Sequence, residues 1–264
     1  MARLTGILLA LVALAAAGAA QAQVAWPKGK QAAIVLTYDD ALPSQLEVAV
    51  PQLAQARLKG TFFLDGDIGP ADMVSWRKVQ AAGHELGNHS LFHPCPRALL
   101  PDRVQYLTDN YDVARMLGEI AAMNNVLFGI DRQQRRTYSV PCSQMLVGGV
   151  DYTDALRNSG LVKFARTGGD QYQSVITNAA SLDAFQVPSW GPVDHPDGPQ
   201  LIAYAERVRA ARGLGVFQFH GVGGDYLEVS AAAHRELLDH LRKHPEIWVG
   251  TFQQVMDYVA AHSR

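Results

Sequence analysis

The alternation of short apolar segments with helical segments constrains the fold of this chain more than any other feature. Residues 32–37, Ala-Ala-Ile-Val-Leu-Thr, form a nearly continuous apolar run, which is typical of a strand buried on both faces. A helical pattern through Leu46, Val50 and Leu53 follows, and a second apolar run occupies 61–64. This order predicts two parallel strands joined by a helix.

The same alternation continues to the carboxyl terminus. The further predicted strands span 83–87, 137–140, 162–166, 185–187, 216–219 and 248–251. The further predicted helices span 75–82, 102–123, 152–159, 199–211 and 230–244. This number of repeats suits an α/β barrel better than a small open sheet, and functional residues of such barrels gather at the carboxyl ends of the strands.

The amino terminus predicts export. Arg3 precedes an apolar run at 7–20 that ends in Ala20-Gln21-Ala22, a small-x-small cleavage pattern. We predict a signal peptide at 1–22, one domain at 23–264, and a secreted or periplasmic mature protein without stable membrane insertion. The alternative is a retained anchor, although the run is short for a span of about twenty residues. A net charge of -2 provides no basic surface for nucleic acid.

Two acidic residues, Asp39 and Asp40, follow the first predicted strand. Adjacent carboxylates in a common cleft repel each other, so a cation or a shared proton must relieve the repulsion. They are therefore candidates for a cation-binding site. The alternative is that they cap a turn or the next helix.

A histidine pair, His89 and His93, follows the predicted strand at 83–87. A spacing of four residues would place both imidazoles on one face of a helical turn, within reach of one ion. With one Asp they form a two-His, one-carboxylate set, which leaves positions open for water and substrate. The alternative is a surface pair without function, which is our interpretation of His240 and His244.

A third candidate is His220, at the carboxyl end of the apolar strand 216–219. An imidazole with a pKa near neutrality can donate a proton to a leaving group. The alternative is that His220 only caps the strand. All three groups of candidates lie at strand ends that a barrel would bring together.

The conjunction of Thr37-Tyr38-Asp39-Asp40, His89-Ser-Leu-Phe-His93 and Phe217-Gln-Phe-His220-Gly resembles the NodB-homology domain of carbohydrate esterase family four, from about residue 30 onwards. The resemblance implies a distorted (β/α) barrel with an open groove. It also implies a hydrolase that removes acetyl groups from an N-acetylated polysaccharide or glycan of the chitin or peptidoglycan type.

The resemblance also implies roles for individual residues. They are Asp39 as catalytic base, Asp40, His89 and His93 as metal ligands, and His220 as general acid. The cofactor would be a divalent metal, zinc in the first place, with cobalt and nickel as alternatives. Such a metal lowers the pKa of its water and polarises the acetyl carbonyl.

The third motif of the family departs from its usual form here. The family has R-x-P followed by an aromatic residue, whereas this chain has Ser139-Val140-Pro141-Cys142, so the arginine that orients the base is missing. The backbone N–H of Cys142 would still stabilise the oxyanion. Arg166, at the end of a later strand, is our candidate replacement, and a surface arginine is the alternative.

The fourth motif is blurred, and Asp170 and Asp183 are both candidate partners for His220, with Asp170 as possible support for the site. Trp190 would form either a sugar platform or part of the core. Cys95 and Cys142 flank the motifs, and export would let a disulfide between them persist; two buried thiols are the alternative.

Two other functions stay open. One is an O-acetyl esterase on acetylated xylan, and the other is a non-catalytic carbohydrate-binding relative, which the missing arginine favours. We prefer the hydrolase because base, ligands and acid are all present. Its partner would be an acetylated carbohydrate.

Overall fold

The predicted alternation of strands and helices is present in the computed structural model, which describes residues 24–262. The signal peptide predicted for 1–22 lies outside the described residues. The strands are β1 (Ala32–Asp39), β2 (Thr61–Leu64), β3 (Glu85–Asn88), β4 (Thr137–Ser139), β5 (Leu146–Val147), β6 (Val150–Asp151), β7 (Phe164–Arg166), β8 (Leu214–Phe219) and β9 (Ile247–Gly250).

Helices alternate with these strands and cover the sheet. They are α1 (Val50–Ala56), α2 (Pro70–Ala81), α3 (Val113–Asp131), α4 (Thr153–Ser159), α5 (Gly198–Ala210), α6 (Ala231–Lys243) and α7 (Phe252–His262). A π-helical segment, Gln45–Ala49, precedes α1. Short 3₁₀ helices occupy Val104–Tyr106, Thr108–Asn110, Pro141–Ser143 and Ala179–Ser181. Within residues 24–262, no helix combines the length and the apolar character needed to cross a bilayer.

Seven of the strands form one parallel sheet. Its order is β7-β4-β3-β2-β1-β8, and β9 pairs with the first half of β1. The second half of β1 pairs with β2, in a register that sets Thr37 opposite Thr61. The remaining strands, β5 and β6, form a separate antiparallel hairpin. The sheet is therefore built from crossover units, as the sequence predicts.

The curled sheet is closed by an irregular segment between its two edge strands. Val187 forms an isolated parallel bridge with Arg166 of β7, and Trp190 forms another with Phe217 of β8. The predicted strand at 185–187 is therefore a short crossing rather than a regular strand. The result is a distorted (β/α) barrel, which confirms the predicted fold class.

β1 lies at the centre of the core, and all eight of its residues are buried. Ile34, Leu36 and Tyr38 face the helices, whereas Ala33 and Val35 belong to a separate apolar cluster on the other face. Successive strand residues point to opposite faces, so Asp39 shares the face of Ala33 and Val35. This alternation directs Asp39 toward the barrel interior.

The predicted helix at 102–123 is wrong at both ends, because α3 begins at Val113 and ends at Asp131. Asp112 is its N-cap, and the Asp112 carboxylate accepts a hydrogen bond of 2.7 Å from the backbone N–H of Arg115. The residues before α3 pair with another segment of the chain, since Cys95 exchanges backbone hydrogen bonds with Tyr106 and Thr108. A cap and a tertiary pairing thus override the helical pattern.

Candidate active site

Asp39 and Asp40 reach a common site because the backbone leaves the strand geometry between them. Asp40 has a φ of 75° and Ala41 a φ of 53°, both in the left-handed region. The Oδ2 atom of Asp39 lies 3.8 Å from His89 Nε2, and the Oδ1 atom of Asp40 lies 3.1 Å from the same nitrogen. The two carboxylates therefore flank one imidazole, although consecutive residues of a strand would point apart.

His89 and His93 lie in the loop after β3, and the helical turn that we predicted for them is wrong. Ser90 and His93 have φ values of 62° and 48°, so the loop bends through left-handed residues. The Asn88 side-chain oxygen accepts a hydrogen bond from the N–H of Ser90, and the Ser90 hydroxyl accepts one from the N–H of His93. This turn brings the two imidazole rings to a centroid distance of 4.6 Å.

The ligand atoms of Asp40, His89 and His93 lie within 4.8 Å of one another. His93 Nε2 is 3.4 Å from Asp40 Oδ1. His89 Nδ1 is 2.7 Å from the carbonyl oxygen of Ser139. A carbonyl only accepts, so Nδ1 carries a proton and Nε2 faces the cluster, an arrangement typical of metal-binding histidines. Two imidazoles and one carboxylate fit a divalent transition metal.

The charges of the cluster support the same interpretation. Burial lowers the pKa of His89, but the negative charges of Asp39 and Asp40 outweigh it and raise this pKa to about 9. Burial opposes ionisation of Asp40, yet its hydrogen bond to His89 and the imidazoles around it hold its pKa well below the usual range. The carboxylates thus favour positive charge at this cluster, as a cation would supply it.

Asp39 is fully buried and is held through one of its two oxygens. Its Oδ2 atom accepts hydrogen bonds from the guanidinium of Arg166, the hydroxyl of Ser139 and the amide of Gln218, the last two at 3.2 Å. Its Oδ1 atom is buried and has no hydrogen-bond partner in the part of the chain that the structure describes. A carboxylate fixed in this way keeps one oxygen free to accept a proton.

Arg166 contacts the carboxylate for which we proposed it as a replacement arginine. It is 1 % exposed, and besides Asp39 it donates to the hydroxyls of Ser139 and Ser189. It reaches Asp39 from β7 instead of from the third motif. Ser139, which stands where the family has its arginine, contributes a hydroxyl to the same network.

His220 follows β8 and faces the cluster, with Nε2 3.8 Å from Asp40 Oδ2. The side-chain amide of Gln45 donates to the carbonyl oxygen of His220 at 3.1 Å, which holds the end of the strand. Burial lowers the pKa of the His220 imidazole, although Asp39 and Asp40 act against this shift. A lowered pKa makes the protonated imidazole a stronger acid.

The predicted disulfide between Cys95 and Cys142 is present, with a Cα–Cα distance of 5.7 Å. Cys142 lies in the 3₁₀ turn after β4 and has a φ of 49°. Cys95 Sγ is 3.5 Å from Nδ1 of His93, so the bridge ties the histidine loop to the end of β4. The role of the Cys142 N–H toward an oxyanion stays a prediction.

Asp170 and Asp183 do not contact His220 within residues 24–262. Asp170 is exposed, and its carboxylate accepts hydrogen bonds of 2.7 Å from the backbone N–H groups of Tyr172 and Gln173. Asp183 pairs with Arg157 at 2.9 Å. The expected support of His220 by Asp170 is thus not met, because Asp170 is engaged by the backbone of its own loop and Asp183 by Arg157.

Trp190 packs in the core, with its ring 5.0 Å from the ring of Tyr204 and 5.7 Å from that of Phe217. Among the alternatives left open for this residue, the contacts favour the core.

Tyr226 is a site residue that sequence reasoning missed. Its hydroxyl donates a hydrogen bond of 2.8 Å to Asp40 Oδ2, and its ring centroid lies 6.3 Å from that of His220. The side chain is 54 % exposed, so it stands at the mouth of the site. In the sequence, the indication of this role is its position as an aromatic residue in the glycine-rich loop after His220.

Comparison with known proteins places this architecture in a family. A family model described as polysaccharide deacetylase matches residues 27–158, half of the 264-residue chain. The uncharacterized protein YlxY of Bacillus subtilis is 33 % identical over 75 residues, which is 28 % of this chain. The chain spans only 24 % of the length of that relative.

Solved structures share the fold at low sequence identity. A Mycobacterium smegmatis protein assigned to the polysaccharide deacetylases aligns with a TM-score of 0.65 and 18 % identity, over 91 % of this chain and 94 % of its own. The peptidoglycan deacetylase PdaC of Bacillus subtilis aligns with a TM-score of 0.53 and 18 % identity, over 89 % and 95 %.

A pseudoenzyme of carbohydrate esterase family four from Bacillus anthracis aligns with a TM-score of 0.52 and 18 % identity, over 87 % of this chain and 66 % of its own. The fold is thus common to proteins described as active and as inactive. The matched segment contains Asp39, Asp40, His89 and His93. With a family model matched over half of its length and this fold around the cluster, the chain belongs to the polysaccharide deacetylase family.

Proposed function

We propose that residues 23–264 form a secreted or periplasmic, metal-dependent hydrolase that removes acetyl groups from N-acetylated glycans of the chitin or peptidoglycan type. The observation that carries this proposal is the buried Asp39 beside the cluster of Asp40, His89 and His93. Its Oδ2 atom lies 3.8 Å from His89 Nε2, and its Oδ1 atom has no hydrogen-bond partner among the described residues. PdaC, described as a peptidoglycan deacetylase, shares the fold and supports the substrate class.

In this proposal Asp40, His89 and His93 hold a divalent cation, with zinc as the first choice. When bound, the cation would supply Lewis-acid chemistry by acidifying a water molecule and polarising the acetyl carbonyl. Such ligand sets leave positions open for water and substrate.

Asp39 would act as the base. Its Oδ1 atom accepts the proton of the attacking water, while Arg166, Ser139 and Gln218 hold the Oδ2 atom and keep the carboxylate oriented. The buried Arg166 guanidinium contacts Oδ2 directly and so fixes the orientation of the carboxylate. This pairing supports catalysis despite the altered third motif.

Cys142 and His220 would complete the reaction. The backbone N–H of Cys142 would donate to the oxyanion that forms when water adds to the carbonyl carbon. His220 would then donate its proton to the nitrogen as the carbon–nitrogen bond breaks, which yields acetate and an amine. The disulfide fixes the Cys142 turn, and its persistence agrees with an exported protein.

Two alternatives have specific support. The Xyl-CE4 domain of a xylanase from a Trinervitermes trinervoides hindgut metagenome aligns with a TM-score of 0.57, which favours an O-acetyl esterase on xylan. The Bacillus anthracis pseudoenzyme favours a non-catalytic relative. The contact between Arg166 and Asp39 argues against the second alternative, because it orients a base.

Acetate release distinguishes the three functions. The zinc-loaded chain is incubated with N-acetylglucosamine oligomers and with acetylxylan, each with and without chelator. We expect release from the oligomers that chelation abolishes. Release from acetylxylan alone would favour the esterase, and no release from either substrate with zinc bound would favour the non-catalytic relative.

A further inference from the structure

A second cluster of potential metal ligands lies in the helical layer between α5 and α6. Its members are Glu206 of α5, His240 in the last turn of α6, and His244 directly after that helix. One ligand atom from each of them lies within 4.8 Å of the others. All three are partly exposed, so a cation can reach them from solvent.

This cluster repeats the composition and the dimensions of the proposed catalytic cluster. Each has one carboxylate and two histidines four residues apart. Glu206 Oε1 lies 2.8 Å from His240 Nε2, and the imidazole centroids of His240 and His244 are 4.3 Å apart. The corresponding distances in the catalytic cluster are 3.1 and 4.6 Å. His240 lies in the last turn of α6 and His244 is the C-cap that follows it, so the two rings meet at the carboxyl end of the helix.

The surroundings orient one of the imidazoles as in metal sites. His244 Nδ1 lies 3.0 Å from Glu246 Oε1. A carboxylate that accepts from Nδ1 fixes the proton there and leaves the lone pair of Nε2 free for a metal. In the proposed site His244 would therefore bind the cation through Nε2.

The carboxylates at this cluster favour a cation, but the guanidinium of Arg209 competes for them. Glu206 and Glu246 contribute two negative charges, and the Arg209 guanidinium offsets one of them. Arg209 Nε donates to Glu206 Oε1 at 3.1 Å and to Oε2 at 2.9 Å, and its Nη1 lies 3.5 Å from Glu246 Oε1. Because Arg209 shares both carboxylates, they attract a divalent ion less strongly than an uncompensated carboxylate pair would.

We propose that Glu206, His240 and His244 form a second metal site, distinct from the catalytic cluster, for a borderline divalent cation of the zinc type. Imidazole and carboxylate ligands suit zinc, nickel and copper and exclude calcium, which takes oxygen ligands. A cation held there would bridge α5 and α6. This inference does not depend on the proposed deacetylase function.

Zinc stoichiometry tests the proposal. The full mature chain is stripped with chelator and dialysed against Zn²⁺ at neutral pH, and zinc per chain is determined by elemental analysis. We expect about two zinc ions in the unaltered protein and about one in the double variant His240→Ala/His244→Ala. The single variant His244→Asn, which keeps a polar side chain, should lose the same ion.

Two further variants separate this site from the catalytic cluster. His89→Ala/His93→Ala should lose only the other zinc ion, and His262→Ala, an exposed histidine on α7, should lose none. Full zinc content in both His240/His244 variants would overturn the second site, and it would leave the proposed function untouched. Full content in His89→Ala/His93→Ala would instead contradict the proposed catalytic centre.

Discussion

At the scale of single residues, the site depends on a buried ion pair between Asp39 and Arg166, which lie 127 residues apart in sequence. Removing one partner of such a pair leaves an uncompensated charge in the interior. Replacing Arg166 by Met should therefore lower the free energy of unfolding by about 3–5 kcal/mol. Chemical denaturation measures this change.

The double variant Arg166→Met/Asp39→Asn is the matched control for this prediction. It removes both charges, so it should lose less unfolding free energy than Arg166→Met alone. An equal or larger loss in the double variant would show that the two side chains do not stabilise each other as an ion pair.

Tyr226 leads to a second prediction at this scale. Its hydroxyl holds Asp40 Oδ2 and leaves Oδ1 directed at the two imidazoles. Loss of a hydrogen bond that orients a metal ligand weakens metal affinity by about 10-fold or more. Tyr226→Phe should show this loss in a zinc titration, whereas Tyr172→Phe, at another exposed tyrosine, should not. Unchanged affinity in Tyr226→Phe would remove the orienting role.

The residues of the candidate site were predictable to different degrees. Asp39, Asp40, His89, His93 and His220 stand in motifs at strand ends, and the barrel brings them together. Arg166 could be proposed from the sequence because it stands at the end of a predicted strand. The absence of Asp170 from the site and the presence of Tyr226 in it could not be predicted. Loop side chains are placed by local hydrogen bonds, such as those that Asp170 accepts from its own loop.

At the scale of elements, His234 connects α6 to α1 and β1. Its Nε2 lies 2.7 Å from the hydroxyl of Tyr38, and its Nδ1 lies 2.7 Å from the side-chain oxygen of Gln52. Burial lowers the pKa of this imidazole to about 3, against about 6.5 in an unfolded chain. Between these values the unfolded state binds the additional proton, so stability is lost as the pH falls.

This linkage predicts a measurable slope. Between about pH 4 and 6, His234 should make the free energy of unfolding rise by up to about 1.4 kcal/mol per pH unit, whereas the buried Asp65, whose pKa is raised to about 6, acts in the opposite direction. In His234→Gln the dependence of the free energy of unfolding on pH should lose the contribution of one titrating imidazole. The buried His84, whose pKa is also lowered, to about 4, would still contribute. An exposed control, His262→Gln, should keep the full slope. An unchanged slope in His234→Gln would contradict the assignment.

The disulfide joins the loop after β3 to the turn after β4, and it closes a loop with a sequence separation of 47. Constraint of the unfolded chain by a loop of this length stabilises a protein by about 4 kcal/mol. Cys95→Ser/Cys142→Ser should lose about this much free energy of unfolding, measured without reductant. Stability equal to that of the unaltered protein would mean that the bridge contributes nothing.

Elements with a strong apolar pattern were predictable, and those fixed by tertiary contacts were not. β1, β2 and β8 lie close to the apolar runs that predict them, because strands buried on both faces must be apolar. The predicted helix at 102–123 failed at its beginning, where the pairing of Cys95 with residues around Leu107 prevents a helix. The histidine loop also lacks the predicted helical turn, since Asn88 and Ser90 hold its bends.

At the scale of the whole molecule, the barrel gathers into one site the ends of strands that are distant in sequence. The order β7-β4-β3-β2-β1-β8, closed by the crossing at 187–190, surrounds Asp39 with Ser139, Arg166 and Gln218 from three other strands. The alternation of elements predicted this convergence. The irregular closing segment was not predictable, because it carries only isolated bridges.

The central claim is that Asp39 acts as a base beside a cation held by Asp40, His89 and His93. The most direct measurement is the rate of acetate release from N-acetylglucosamine oligomers by zinc-reconstituted protein and by an equally zinc-loaded Asp39→Asn variant. We predict release by the unaltered protein and a rate at least about 100-fold lower in the variant at the same zinc content. Equal rates, or no release by the zinc-loaded unaltered protein, would contradict the claim.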